Sequence, residues 1–358
     1  MEPILFLLTF LVHLCTITTT TSNGKTLPKF PAILIFGDST VDTGNNDYII
    51  TAFKANYRPY GHDFPGAIAT GRFSNGKLVP DFVASFLKIK DTVPPFLLPN
   101  LSDNELRTGV SFASAGSGYD DLTTAVSRVI PVSKQPGYLD VYIERLKRIV
   151  GEEKAQKIIS GALVIVSAGT NDFIFNFYDL PTRRLHFTIS QYQDFLHNNL
   201  QNFVKELYNR GCRLMVITGI PPIGCLPLQR NAKSPILRTC IEDENSDAKS
   251  YNDKLEKLLP QLQASLPGSK ILYADIFNPL LNMTNDPQKY GFVETSKGCC
   301  GTELLGAVPL CDINCQICPN RSQYMFWDGI HPSQSAYKYL SEYLTKTLLA
   351  KFSQINGS

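Results

Sequence analysis

The sequence has 358 residues, of which 43% are hydrophobic and 18% charged, enough apolar material for a buried core and too much for an intrinsically disordered chain. Lys and Arg number 34 against 32 Asp and Glu, a net charge of +2, and no basic block stands out. That balance argues against a nucleic-acid partner.

In chain order, the first segment is "MEPILFLLTFLVHLCTITTTTSNG", apolar from Pro3 to Cys15 and then small and polar. It reads as a secretory signal peptide over residues 1–22, with cleavage near Thr20 to Asn23. Its n-region is unusual in carrying Glu2 and no Lys or Arg. The rival reading is a membrane anchor, but the apolar core is shorter than the roughly 20 residues needed to cross a bilayer. No later segment has such an unbroken apolar run, so no transmembrane segment is expected in the mature chain, read as one domain over 23–358.

Short apolar runs then recur: "AILIF" (32–36), "ALVIVSAG" (162–169), "RLMVITGI" (213–220) and "KILYADIF" (270–277). Continuous β-branched runs of this length are what strands buried on both faces look like. "GVSFASAG" (109–116) alternates and is a fifth candidate, while residues 58–107 read as a long, loop-rich excursion. Helical periodicity is expected over 190–210, with a capping box of Ser190 and Gln193, over 252–266, and over 333–352. Strands alternating with helices predict a parallel sheet covered on both faces, a three-layer α/β/α sandwich.

In such sheets ligands bind at the carboxyl ends of the strands, which directs attention to the residues at the end of each run. The first ends in Gly37-Asp38-Ser39, the 109–116 segment in "SAGSG" around Gly116, and the 162–169 run in "SAGTND", which contains Asn171. A hydroxyl, a glycine-lined backbone turn and a side-chain amide therefore converge on one sheet edge. Ser39 taken alone is equally a turn residue.

A serine nucleophile needs a base, and the chain has five histidines. His13 leaves with the signal peptide, His186 and His197 sit in or beside a helical segment, and His62 in "PYGHDF" stays open. His331 in "FWDGIHPS" lies three residues after Asp328, so a tight turn could put the carboxylate on one imidazole nitrogen and leave the other as base. The bland alternative is a helix-entry histidine beside a capping aspartate. The order Ser, Asp, His also occurs in α/β-hydrolases, but their G-x-S-x-G elbow is missing, with Val41 where the second glycine belongs. "GSG" at 116–118 lacks the third glycine of a dinucleotide fingerprint.

Nine cysteines, eight once Cys15 is removed, suit disulfides in an oxidising compartment. Cys225 and Cys240 flank one loop; Cys299, Cys300, Cys311, Cys315 and Cys318 crowd another, where zinc is the sharper alternative although paired C-x-x-C spacing is absent. Sequons at Asn100, Asn282, Asn320 and Asn356 could accept glycans. Tyr57, Tyr60, Phe64, Phe73, Phe175, Phe177 and Tyr178 are loop aromatics that could line an acyl groove or simply pack.

Taken together, "FGDSTVDTGNN", "TGRFSNGK" (70–77), "SFASAGSG", "SAGTND", "IPPIGCLP" (220–227), "CCGT" and "FWDGIHPS" resemble the plant GDSL esterase/lipase family within the SGNH hydrolases, over nearly the whole mature chain. The resemblance implies a flavodoxin-like SGNH hydrolase fold and cleavage of carboxylic esters in an extracellular setting such as the cell wall, with no cofactor and no metal. It implies Ser39 as nucleophile, Asp328 and His331 as its partners, and an oxyanion hole from the backbone amides of Ser39 and Gly116 and the side chain of Asn171. Thr40 stands where the family's name has leucine, and Ser111 where its second block usually has asparagine. Both departures bear on subgroup and substrate, as no catalytic group is lost. Acyl transfer to an alcohol, acetyl release from wall polysaccharide, and a binding protein on the same scaffold are the competing functions.

Overall fold

The computed structural model describes residues 29–125, 127–300, 311 and 313–353. The expected signal peptide with its cleavage region, and Asn356, lie outside them. The core of the fold is a sheet of four parallel strands in the order β1 (Ile33–Gly37), β2 (Leu163–Ser167), β3 (Leu214–Thr218) and β4 (Lys270–Ala274). In register, Ile33 faces Leu163, Leu163 faces Leu214 and Leu214 faces Lys270. Ile33 to Phe36 are wholly buried, which is why the run carries no polar residue.

The 109–116 segment departs from the expected strand. Its one bridge to β1 sets Ser111 opposite Ile35, through Ile35 N–H to Val110 O at 3.0 Å and Phe112 N–H to Ile35 O at 2.7 Å, and Ser114 N–H adds a bond to Gly37 O at 3.0 Å. Its other edge is taken by the loop before it, where Ser111 N–H donates to Pro94 O and Ser111 O accepts from Phe96 N–H. Counting this short segment as second in sequence gives the order 2-1-3-4-5, the flavodoxin-like arrangement.

Helices cover both faces. In chain order they are α1 (Val79–Phe86), α2 (Asp103–Thr108), α3 (Leu122–Ala125), α4 (Gln135–Val150), α5 (Glu152–Gly161), α6 (Ile189–Asn209), α7 (Pro227–Lys233), α8 (Glu242–Ala264), α9 (Phe277–Asn285) and α10 (Gln334–Ser353). Phe36 of β1 meets Phe203 of α6 at a ring separation of 5.8 Å, and Phe112 beside it meets Tyr142 of α4 at 5.7 Å, which puts α4 and α6 on one face. The other face is covered by α1 and α10, which pack together, and by α9. A small second sheet of β5 (Glu294–Gly298) and β6 (Tyr324–Phe326) leads the chain into Asp328.

Two helix starts differ from expectation. The capping box of α6 is Thr188 with Gln191, not Ser190 with Gln193: Thr188 Oγ1 accepts from Gln191 N–H at 3.3 Å and Gln191 Oε1 accepts from Thr188 N–H at 2.9 Å. Gln193 is instead buried and donates to Asp247 O. Helix α8 opens at Glu242 rather than Asn252, because Glu242, Asp243 and Glu244 place negative charge on the first turn.

The excursion over 58–107 is less irregular than its composition suggests, since it contains α1 and α2. Its anchor is a buried ion pair: Arg72 Nε and Nη2 each donate at 2.8 Å to the Asp81 carboxylate, and the guanidinium also reaches Thr43 O and Val93 O. Removing one member of such a pair strands a buried charge, at a cost of about 3–5 kcal/mol. Arg72→Ala is therefore expected to shift the urea midpoint sharply downward; an unchanged midpoint would show that the pair stabilises nothing.

Candidate active site

Strand β1 ends at Gly37 in a backbone conformation only glycine tolerates, with φ +138° and a Cβ that would sit 1.9 Å from Ser167 O. The next turn is fastened to β2 by Asp38 N–H donating to Ser167 O at 3.0 Å. Gln135, at the start of α4, clamps Gly37 from the other side, its Oε1 accepting from Gly37 N–H at 2.9 Å and its Nε2 donating to Gly37 O at 2.8 Å. Burial pushes the Asp38 carboxyl up to about 6, against the pull of the Thr40 amide and hydroxyl that donate to it. Ser39 is left at the strand end with its hydroxyl free to face a partner from elsewhere.

That partner is His331, whose Nε2 lies 2.7 Å from Ser39 Oγ. Its Nδ1 lies 2.8 and 2.9 Å from the two oxygens of Asp328. The spacing of three residues works because Asp328 Oδ1 also accepts the backbone amides of Ile330 and His331, closing the turn on itself. The other oxygen, Oδ2, accepts a hydrogen bond of 2.9 Å from the hydroxyl of Tyr60, which is wholly buried and in turn accepts from Cys311 N–H at 3.1 Å. Phe73 packs against the imidazole with ring centroids 5.0 Å apart. Asp328 and His331 are thus held by aromatic residues from the 58–107 excursion.

Gly116 and Asn171 line the same cleft as Ser39 and His331, a space of about 310 Å³ whose other walls include Phe53, Phe73, Phe175 and Ile330. The loop amides on either side of Gly116 are spent, Ala115 N–H on Asp42 Oδ2 and Ser117 N–H on Ser114 O. Those flanking Ser39 are spent on Ser167 O and Asp38 Oδ1. The Gly116 and Ser39 amides have no such partner among the described residues. Asn171 donates one of its two amide N–H groups to Ser117 O at 2.9 Å, leaving the second for a ligand. Asp172 rigidifies this corner: it accepts from the amides of Tyr119 and Asp120 and from the Thr123 hydroxyl.

The remaining sequence candidates lie elsewhere. His62 contacts Asp63 at 3.3 Å and does not line the cleft, and His186 is exposed. His197 is buried in a stack on Tyr251 with centroids 4.2 Å apart, and burial lowers its pKa to about 4, so it stays neutral. Of the loop aromatics, Phe73 and Phe175 line the cleft. Tyr60 supports Asp328, Phe64 lies under Arg72, and Phe177 and Tyr178 pack into the core. Tyr57 donates to Cys311 O.

Among the cysteines, Cys225 pairs with Cys240 and Cys299 with Cys318, while Cys300 meets both Cys311 and Cys315. These last three sulfurs lie within 4.8 Å of one another, with no fourth His, Cys, Asp or Glu in the group among the described residues. The even cysteine count is not fully paired, because Cys212 is a buried free thiol whose pKa burial raises to about 12. Asn100, Asn282 and Asn320 are exposed. The sequence marks Tyr60 only as a loop aromatic and Asp172 only as the last residue of "SAGTND", and it gives no sign of the Gln135 clamp.

Comparison with known proteins places these motifs in a family. Residues 33–344 match the model of the GDSL-like Lipase/Acylhydrolase family. Three Arabidopsis thaliana proteins are similar over almost their full length. GDSL esterase/lipase At2g30310 is 56% identical, covering 95% of this chain and 94% of its own. GDSL esterase/lipase At2g30220 is 57% identical over 90% of each, and GDSL esterase/lipase At2g31550 is 53% identical over 97% of each. With a parallel sheet clothed by helices on both sides and relatives this similar over at least 90% of its length, the chain belongs to the GDSL lipase/acylhydrolase family and is a carboxylic ester hydrolase.

Proposed function

We propose that the protein hydrolyses its ester through an acyl-enzyme, with Ser39 as nucleophile, His331 as general base and Asp328 orienting the imidazole. The observation that carries this reading is the 2.7 Å approach of His331 Nε2 to Ser39 Oγ, with Nδ1 held by Asp328. The Asp328 carboxylate fixes the proton on Nδ1, so Nε2 presents a lone pair to the hydroxyl. As Ser39 Oγ attacks the ester carbonyl, its proton passes to Nε2 and the carbonyl oxygen becomes an oxyanion. The Ser39 and Gly116 amides and the free N–H of Asn171 donate to that oxygen. Collapse expels the alcohol, which takes the proton from Nε2; water then repeats the sequence on the acyl-enzyme and releases the acid.

The cleft walls bring no charged side chain within the described residues, which favours neutral esters over anionic ones. Residues 1–22 act as a cleaved signal peptide, and 23–358 form one extracellular domain with glycans on exposed sequons. The disulfides at Cys225–Cys240 and Cys299–Cys318 support an oxidising destination. No helix among the described residues is long and apolar enough to cross a membrane.

The same geometry serves acyl transfer if an alcohol replaces water in the second step. Incubating the protein with a radiolabelled ester, with and without an alcohol acceptor, is expected to yield free labelled acid in both cases. Label appearing only in a new ester would assign the protein as a transferase; no turnover of any ester would remove the enzymatic reading.

A further inference from the structure

Asp328 is 0% exposed, and its carboxylate takes most of its hydrogen bonds from its own turn. Oδ1 accepts the amides of Ile330 and His331, and both oxygens reach His331 Nδ1, so these bonds stay within residues 328–331. None of them fixes the carboxylate relative to the strand end that carries Ser39. Among the described residues, the Tyr60 hydroxyl is the only donor that reaches the carboxylate from outside this turn, at 2.9 Å from Oδ2.

The surroundings of Tyr60 decide where its proton goes. A tyrosine hydroxyl has one proton to donate and accepts on its oxygen. The Cys311 amide donates to that oxygen at 3.1 Å, and a carboxylate offers no proton, so the hydroxyl proton is committed to Asp328. Burial and the neighbouring Asp328 charge push the Tyr60 pKa well above the ordinary tyrosine value, so the proton stays on the oxygen. The ring makes edge contacts with Tyr57 and Phe73, at centroid distances of 5.5 and 5.6 Å, and Phe73 in turn packs 5.0 Å from the His331 imidazole. Tyr60 thus bears on both partners of Ser39, directly on the carboxylate and through Phe73 on the imidazole.

We propose that Tyr60 is a positioning residue of the triad: its hydroxyl pins the Asp328 carboxylate where the imidazole held on it presents Nε2 to Ser39, and the Cys311 amide keeps the hydroxyl turned to that task. The proposal rests on the serine-hydrolase reading above. As Ser39 attacks, His331 gains a proton and the imidazolium leans on Asp328, so the placement of the carboxylate matters most in the transition state. The bland alternative is a tyrosine that braces the cysteine loop through Cys311. Tyr57 already makes such a contact, its hydroxyl donating to Cys311 O at 2.8 Å, and Tyr60 differs from it by reaching the carboxylate.

The test compares Tyr60→Phe with Tyr57→Phe, each of which removes one hydroxyl and keeps the ring. Misplacing a catalytic group by about 1 Å costs on the order of 100-fold, so Tyr60→Phe is expected to lower kcat on p-nitrophenyl acetate about 10- to 100-fold with KM nearly unchanged. Tyr57→Phe is expected to keep the wild-type kcat. A normal kcat in Tyr60→Phe with only the melting temperature lowered would reduce Tyr60 to a brace and overturn the proposal, as would equal losses of kcat in the two variants. A cycle with Asp328→Asn isolates action through the carboxylate: Tyr60→Phe is expected to cost little more once Asp328→Asn is in place, and fully additive losses would overturn the proposal. A last readout needs no turnover. The low-field proton resonance of His331 Nδ1–H, assigned by its loss in His331→Asn, is expected to move in Tyr60→Phe and to stay in place in Tyr57→Phe; an unmoved resonance in Tyr60→Phe overturns the proposal. A wild type inert on every p-nitrophenyl ester, with the resonance still moved by Tyr60→Phe, would count against the hydrolase reading and leave the hold of Tyr60 on the Asp328–His331 pair standing.

Discussion

Ser39→Ala is expected to lower ester turnover on the order of a million-fold, the scale seen when the serine of a serine hydrolase is removed. The loss is this large because in the proposed mechanism the hydroxyl supplies the attacking atom and no neighbour can replace it: Thr40 Oγ1 is turned to Asp38 and Ser167. The fold should be untouched, since Ser39 Oγ bonds only His331 among the described residues and the turn is built from the backbone of Gly37 and Asp38 and the clamp of Gln135. Circular dichroism and the melting curve are expected to match the wild type. Appreciable residual turnover in a folded variant would remove Ser39 from the mechanism and reopen the base as well.

Asn171→Ala is the second large effect. Negative charge appears on the former carbonyl oxygen only as the tetrahedral intermediate forms, so a preorganised donor in a buried cleft acts mainly on the transition state. Loss of one such donor typically costs about 100- to 1,000-fold in kcat, or about 2.7–4 kcal/mol, with KM nearly unchanged. The structure adds a second consequence, because Asn171 also donates to Ser117 O. Deleting that bond should cost about 1 kcal/mol of stability and a correspondingly small drop in melting temperature. The two effects separate the roles: a lowered melting point with near-normal kcat would reduce Asn171 to a brace for the 114–120 loop.

The residues of the four strands were readable because burial on both faces leaves no room for polar side chains, so β1 to β4 stand out as apolar runs. The 109–116 segment is harder to read: it alternates like a strand, yet it runs between β1, which Val110 and Phe112 bond, and the irregular 94–96 loop, which Ser111 bonds, and a loop as its second neighbour is not encoded locally. Helix α8 looks short in the sequence because its first turns are polar and acidic, and periodicity becomes visible only once Ala248 and Tyr251 reach the core. Within the site, Ser39, Asp328 and His331 sit in compact motifs whose spacing has a local reason. Tyr60 does not, for its contact with Asp328 joins residues 268 positions apart and its neighbours give no hint of it. Gln135 is the same case, a glutamine at a helix start whose target lies 98 positions away in β1.

The contact between Ser39 and His331 closes 292 positions of sequence. A chain emerging from the ribosome delivers Ser39 early and Asp328 and His331 last, after all four strands of the central sheet have been made. Closing so long a loop costs little more than closing one half its length, about 0.6 kcal/mol per doubling, so the delay arises from the order of synthesis and not from entropy. On the proposed mechanism, a chain that has not yet reached residue 328 carries the Ser39 hydroxyl with no base beside it and lacks the α10 cover of one sheet face. Ester cleavage is then the last property the molecule acquires.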